Sequence, residues 1–559
     1  MYSGGGNLSD DLESLRPVDD VHVLRRPLVG IVLVMLLGTQ TGLLWPATEP
    51  QAFLLLVSAA VLWCVCLACC IRVASTRVRR LIGSLSIVLA LGLLAGVHAS
   101  IWATAQHDPK MDGYLERKVE IIGLVASDPQ RYSDADAAVE QWRFDIAVES
   151  IRCVGEVWTP TQERVDVLWF NRVDGRPPVY GQRVSILDSK LRARTYKKRH
   201  GTRFRIATGS GGTVVLGEKL GSPWRDWCFR MRSKSAANLT AGVSDFPREV
   251  GLMHALLLGY RASLDKVIRD MAAATGTVHI FAISGLHVGI VVGLIVFVLN
   301  ACCIPRTHWI WVLLPVLTAY TMMTGARASA VRACIMAIIY FAASGVGRRA
   351  DVPSAVAAAA LAIVLWEPGQ LLDMGFIFSF TVVVGLIVFC PIFWQWLSPW
   401  IGGDVLRAPV LEGAGDRVAV TVRQYVAGLL TVSLAAWLIS TPLTAHFFGR
   451  ITPIGLLGNL FVIPITFLLV LSGATSMLLG ALLPWVGEIF NHTSIALAKL
   501  LIELLDIMVR VPFGQIEVAP WPLWSVGLAY VVLAASGAAL NLRCRCADRL
   551  TSTVEANGN

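Results

Sequence analysis

From residue 27 to 104, and again from 263 to 542, apolar runs long enough to cross a hydrocarbon core of about 30 Å alternate with short charged breaks. The first block predicts transmembrane helices from Pro27 to Leu44, from there to about Ile71, and on to about Ala103. The second predicts spans starting near Gly276, Trp309, Ala326, Val352, Leu371, Tyr425, Pro453, Ser472 and Trp521. Asn491 to Arg510 reads either as a further span or as an interfacial or packed helix, leaving the count between 472 and 515 open by one. Residues 222 to 262 are mixed. SPWRDWCFRMR predicts an interfacial helix anchored by Trp224 and Trp227, and EVGLMHALLLGY is apolar but too short to span, so it is re-entrant or packs on the bundle.

Between 105 and 221 the period changes. The segments VEIIGLVAS, QWRFDIAVESI, RVDVLWF, RVSILDSKLRARTY and RFRIA alternate apolar with polar and are bounded by Gly, Pro and Asp, which predicts strands. Five or six short strands in so small a region predict a small β-barrel like the oligonucleotide-binding fold. The expected fold class is therefore an α-helical polytopic membrane protein of about 11–12 spans carrying an OB-like β domain. Residues 1–26, rich in Gly, Ser and Asp, predict a disordered tail, and 543–559 a basic one.

Composition agrees: 55% of residues are hydrophobic and the mean hydropathy is +0.62, which excludes a soluble globular protein. Lys and Arg set orientation. Arg25 and Arg26, then Arg72, Arg77, Arg79 and Arg80, put the N-terminus in the cytoplasm and the β domain outside. Carried forward by alternate crossing, Arg306, Arg348, Arg349, Arg407, Arg417, Arg423 and the tail arginines fall inside, and Arg450 is the exception. The implied location is the cytoplasmic (inner) membrane, with both termini inside. Net charge of +9 suits positive-inside loops or an anionic substrate. Most of the 12 cysteines sit in apolar runs, where Cys behaves as a small hydrophobe, and only Cys153 lies in the polar segment, so no disulfide framework is expected there. The polar, acidic start predicts no cleavable signal.

The candidate chemistry is hydrophilic residues inside the spans. GTVHIFAISGLHVGIVV carries His279, Ser284, Gly285 and His287 in an apolar context, where a bilayer offers no water to satisfy them. Thr324 closes one predicted span, and Arg327 and Arg332 open the next. Asp373 and Ser379 open another, Thr441 ends one, and Asn459 lies in the outer half of a further one. By alternate crossing these collect in the outer leaflet and would form a polar vestibule facing the β domain. For Thr324, Ser379, Thr441 and Asn459 ordinary helix–helix hydrogen bonding is the plainer account. For Arg332 and His287 burial is costlier, about 2.5–3.5 kcal/mol for a charge at bilayer centre, and function is the better one.

A second candidate lies in the β domain. Lys190, Arg192 and Arg194 alternate and share one strand face, and Lys197, Lys198, Arg199, Arg203 and Arg205 follow, with Tyr196 and Phe204 between them. Basic groups interleaved with aromatics suit a single-stranded nucleic acid, while a solvated face near anionic headgroups fits the same pattern.

These motifs together resemble the ComEC-type competence protein family. The resemblance rests on ALLLGYRASL, HIFAISGLHVGIV, YTMMTGARASAVRACIM, EPGQLLDMGFIFSFT and STPLTAHFFGRITPIGLLGNLFVIP, in order over roughly 220 to 480. It implies a channel, not an enzyme, that conducts one strand of incoming DNA across the cytoplasmic membrane. By position it implies His279, Ser284, His287, Arg332, Asp373 and Asn459 as functional residues. The β segment is more weakly similar to that family's extracytoplasmic domain: a usual Gly-Asp-x-Val stands here as Gly181-Gln182-Arg183-Val184, and the Asn-Pro-Gly motif is absent. Ala328 stands where the family usually has Pro. Many members end in a metallo-β-lactamase-like domain, but no His-x-His-x-Asp-His occurs among the 10 histidines here. No metal or cofactor is expected, and degradation of the other strand would fall to a separate nuclease, with separate receptor and motor proteins as further partners besides membrane lipids. Two other readings stand beside it: a transporter of another anionic solute, and an intramembrane serine hydrolase using Ser284 and His287.

Overall fold

The computed structural model describes residues 27–44, 76–105, 109–131, 141–170, 177–193, 204–209, 212–260, 263–281, 283–348, 350–401, 414–537 and 539–540. The expected second span, between 51 and 71, and both tails lie outside the described residues.

Helices α1 (Pro27–Leu44) and α2 (Thr76–Ala105) pair through glycines four apart. A Cβ on Gly38 would come 1.9 Å from the Gly92 carbonyl oxygen, and one on Gly42 2.0 Å from that of Gly96. Only backbones stripped of side chains approach so closely, the small-xxx-small solution to packing where hydrophobicity offers no drive.

The β region follows as strands β1 (Lys118–Val125), β2 (Gln141–Cys153), β3 (Arg164–Phe170), β4 (Gln182–Ala193), β5 (Phe204–Gly209) and β6 (Thr213–Lys219). The order β1-β2-β3-β5-β4 closes back on β1, and β6 pairs on the outside of β4. All pairings in the circuit are antiparallel except β3 with β5. Five strands thus form a closed barrel consistent with an OB-like fold. Alternation explains the core: Phe144, Ile146 and Val148 point inward from β2, Val165, Val167 and Trp169 from β3, and Phe204 and Ile206 from β5.

On the outer wall Asp166 is fully buried between two arginines. Arg143 donates from Nε and Nη2 at 2.8 Å, and Arg205 from Nε at 3.0 Å. Burial pushes the Asp166 carboxyl up, but Arg143 and Arg205 outweigh it and hold it below the usual carboxylate range. The folded-state pKa is depressed, so this pairing stabilises the barrel above the unfolded value of about 3.9 and is lost as pH falls through the lower folded value. Asp166→Asn is expected to destabilise the barrel by about 2–3 kcal/mol and to remove that acid limb from an unfolding curve followed by Trp142 and Trp169 fluorescence.

The remaining helices are α3 (Pro223–Thr240), α4 (Pro247–Leu258), α5 (Lys266–Ala274), α6 (Val278–Phe281), α7 (Gly285–Ala301), α8 (Trp309–Met323), α9 (Ala328–Gly345), α10 (Val352–Trp366), α11 (Met374–Ile401), α12 (Ala414–Phe448), α13 (Ile454–Leu479), α14 (Pro484–Val509) and α15 (Leu523–Gly537). Among the described residues α9, α11, α12 and α13 are long and apolar enough to cross a membrane by length and composition, and α1, α7, α10, α15 and the stretch Val88–Ala103 of α2 are shorter apolar helices.

One expected boundary is corrected. No span begins at Ser472: α13 runs unbroken from Ile454, and Pro464 inside it does not end it. Residues 491–509, left open between a span and a packed helix, lie in α14, whose Asn491, Ser494, Leu501 and Leu505 are buried against α13 and α4. The span expected from Gly276 is also broken. It consists of α6, a non-helical step, and α7 beginning at Gly285.

Helix α4 is short because Gly259 ends it at φ 74°. Its residues Leu252, Met253, Ala255 and Leu256 are wholly buried in the largest core cluster, with Val462 and Leu469 of α13 and Leu501 and Leu505 of α14. On α3, Trp224 and Trp227 stack at 5.1 Å and are exposed.

Candidate functional site

The break between α6 and α7 is chemical in origin. Ser284 is extended (φ −110°, ψ 175°) and caps α7, its Oγ accepting the Leu286 N–H at 3.2 Å. His287 completes the box: the Ser284 N–H donates to Nδ1 at 3.3 Å, and Oγ lies 3.2 Å from the same nitrogen. An imidazole thus takes the place that Glu or Gln holds in the usual box. Because Nδ1 accepts, the neutral tautomer carries its proton on Nε2, which is buried and meets no partner among the described residues. Ser329 of α9 donates to the Ile283 carbonyl, tying the break to that helix. Ser284→Ala is expected to cost about 1 kcal/mol of helix stability, read as faster amide exchange at Leu286.

Arg332 sits one turn into α9 and is 4% exposed. Its Nη1 lies 4.0 Å from Asp373 Oδ1, beyond hydrogen-bond range, and neither Nε nor Nη1 meets an acceptor among the described residues. Asp373 accepts the Phe376 N–H at 3.1 Å and so caps α11. Gly375 leaves the room: a Cβ there would come 2.9 Å from Asp373 Oδ1 and 3.0 Å from Arg332 Nη2. A buried guanidinium with donors to spare can receive an anion that arrives without its water.

The other predicted residues divide. Arg327 bridges the bundle and the barrel, its Nη2 donating to the Gly259 carbonyl at 3.0 Å and to Gln130 Oε1 of the barrel at 3.2 Å. Thr324 is buried and donates to the Thr321 carbonyl, and Thr441 donates to that of Trp437 at 2.6 Å, both ordinary helix bonds. Ser379 is half-buried on α11. Asn459 on α13 holds a buried Oδ1 with no partner among the described residues. His279 is exposed, with Nδ1 3.1 Å from the Gly276 carbonyl oxygen. Gly285 is exposed, at the first turn of α7. The sequence reading missed Gly375, whose signal was its place two residues after Asp373; Tyr320, which closes a span in that reading, holds a buried hydroxyl with no partner among the described residues.

In the barrel, Lys190 is exposed and pairs with Glu116 at 2.7 Å. Arg192 is exposed and stands opposite Arg205 in register. Phe204 is a correction: its ring is 3% exposed in the barrel core and offers no face to a base. Arg205 is engaged with Asp166. Arg194, Tyr196, Lys197, Lys198 and Arg203 lie outside the described residues. Among the described residues no three His, Cys, Asp or Glu side chains gather as a metal-binding group.

A closed barrel joined to a bundle of apolar helices with an arginine inside defines a polytopic membrane protein with polar chemistry at its core. Residues 256–543, slightly more than half the chain, match the family described as Competence protein, and the chain belongs to that family. It is 28% identical over 263 residues to ComE operon protein 3 of Bacillus subtilis, covering 47% of this chain and 30% of that protein. It is 28% identical over 232 residues to Recombination protein 2 of Haemophilus influenzae, covering 39% of this chain and 27% of that protein. The matched stretch thus spans less than a third of either relative. No solved structure matches the chain.

Proposed function

We propose that this protein carries single-stranded DNA across the cytoplasmic membrane during DNA uptake, acting as a channel and not as an enzyme. The barrel faces outward and receives the strand. The mouth formed by Arg327, the Ser284–His287 break and Arg332 passes it inward. The observation that carries this reading is the buried Arg332, with two guanidinium nitrogens that meet no acceptor among the described residues. A structural arginine in a bilayer would be expected to spend its donors on carbonyls or carboxylates. Family membership agrees with it. Separate nuclease, receptor and motor proteins would complete the system.

A serine hydrolase would need His287 as base toward Ser284. Their contact exists at 3.2 Å, but the helix cap accounts for it: Oγ is occupied by a backbone N–H, and Nδ1 by another. The same protein can be tested for both. In proteoliposomes a fluorescent oligonucleotide added outside should become nuclease-protected, while a fluorophosphonate leaves Ser284 unlabelled. Labelling without import would reverse the assignment.

A further inference from the structure

The largest fully buried side chain among the described residues is a cation outside the candidate site. Arg232, on α3, is 0% exposed. Its Nε and Nη2 donate to the Leu258 carbonyl at 3.0 and 2.7 Å, and its Nη1 donates to Asp128 Oδ2 at 3.0 Å. The guanidinium lies 3.9 Å from the ring centre of Tyr260. Asp128 belongs to the barrel, on the segment leaving β1, 104 residues away in sequence. Two residues further along that segment, Gln130 accepts from Arg327, which also binds the Gly259 carbonyl. Two arginines from different parts of the bundle therefore grip one turn, 258–260, and one barrel segment, 128–130.

The surrounding backbone is shaped to admit Arg232. Gly259 has φ 74° and Gly325 has φ 82°. A Cβ on Gly325 would lie 3.3 Å from Arg232 Nη1, and one on Gly259 2.7 Å from the Thr324 carbonyl oxygen and 2.8 Å from Ile283 Cδ1. Ala326, the next residue, is also left-handed at φ 47°, a conformation costing about 1–3 kcal/mol outside glycine. This strained turn leads straight into α9, whose first residue is Ala328 and which carries Arg332 at the end of its first turn. Ile283, against Gly259, precedes the Ser284 cap of α7. The joint thus touches the starts of both helices that bear the mouth.

We propose that Arg232 is a positioning residue, one that fastens the barrel in register over the mouth formed by α7 and α9, so that a strand leaving the barrel meets Arg327 and then Arg332. The inference rests on the channel reading for its consequence, though not for its geometry. Arg232 touches no strand itself. Its partner Asp128 supplies the barrel's half of the clasp, and Tyr260 and the Leu258 carbonyl supply the bundle's half.

The test uses the full-length protein in proteoliposomes, with nitroxides at the exposed positions Glu156 on the barrel and Val346 on the bundle. The unaltered clasp gives one narrow distance. Arg232→Ala and the milder Asp128→Asn, which leaves the Leu258 bonds in place, should broaden it. Oligonucleotide affinity should stay within twofold while import falls at least tenfold. A second arm replaces Arg232 and Asp128 with cysteine in a protein whose exposed Cys302 and Cys303 are serine, and joins them with a short bis-methanethiosulfonate. Import lost in the double variant should return on cross-linking, which a merely structural arginine would not allow. Unchanged distances in both Arg232→Ala and Asp128→Asn overturn the proposal, as does a tether that restores the narrow distance without restoring import. If the unaltered protein imports no DNA, the channel reading fails by itself; broadened distances would then still support the clasp, and narrow ones would still overturn it.

Discussion

Arg332→Ala should nearly abolish import of labelled single strands by protein that is still fully inserted. Truncating one side of a buried charged contact costs about 2–5 kcal/mol, so the rate should drop roughly 30-fold to several-thousandfold. Removal of a buried, under-bonded cation lowers the cost of folding, so thermal stability should hold or rise. That opposite movement of rate and stability separates a transport role from a packing role. Arg332→Lys keeps charge but offers a compact ammonium in place of a planar fork and should recover only part of the rate. Gly375→Ala keeps the arginine but crowds it against Asp373, and should resemble Arg332→Lys more than the unaltered protein. Import by Arg332→Ala at the unaltered rate would remove the guanidinium from the path.

The second large effect concerns salt. Should five of the basic side chains between Lys190 and Arg203 reach phosphates, log affinity for an oligonucleotide falls with log salt at about −0.7 per phosphate, or about −3.5 in all. Raising salt from about 50 to about 200 mM then weakens binding roughly 100-fold. Lys197→Ala with Lys198→Ala should flatten the slope by about 1.4. Substituting Phe204 tests something else: its ring is barrel core, so Phe204→Ala should unfold the barrel at lower temperature, by about 3–5 kcal/mol, and not act as a lost stacking partner. A flat salt response would assign the basic strand to lipid headgroups or solvent.

The parts of the fold visible in the sequence were those written in period. Alternation through QWRFDIAVESI placed Phe144, Ile146 and Val148 on one face, and they are the barrel core. The apolar runs gave the bundle. What stayed hidden were features that depend on contact between distant segments. Nothing in a run of hydrophobic letters says that residues 454 to 479 form one helix around Pro464; a proline and a serine both look like punctuation. Ser284 and Gly285 signalled a disturbance in the helix, but not that an imidazole would close the cap. Alternation of aromatics with cations around Arg203 was misleading at Phe204, because period two sends every second residue inward whatever its neighbours suggest. Arg232 gave no signal at all. It lies in a helix rich in charge, and only the fold brings Asp128 to it.

Helix α4 carries one last implication. Eight of its residues, from Val250 to Leu258, are buried, wrapped by α13 and α14. Among the described residues these three helices share one closely packed core. On the proposed function a strand would run beside this core, which α7 touches through Ile290, along the line where α9 meets α7 and α11. It would pass by prying two helices apart like a seam, not by entering a standing hole, and the seam should close again behind its trailing end, keeping small ions out between passages.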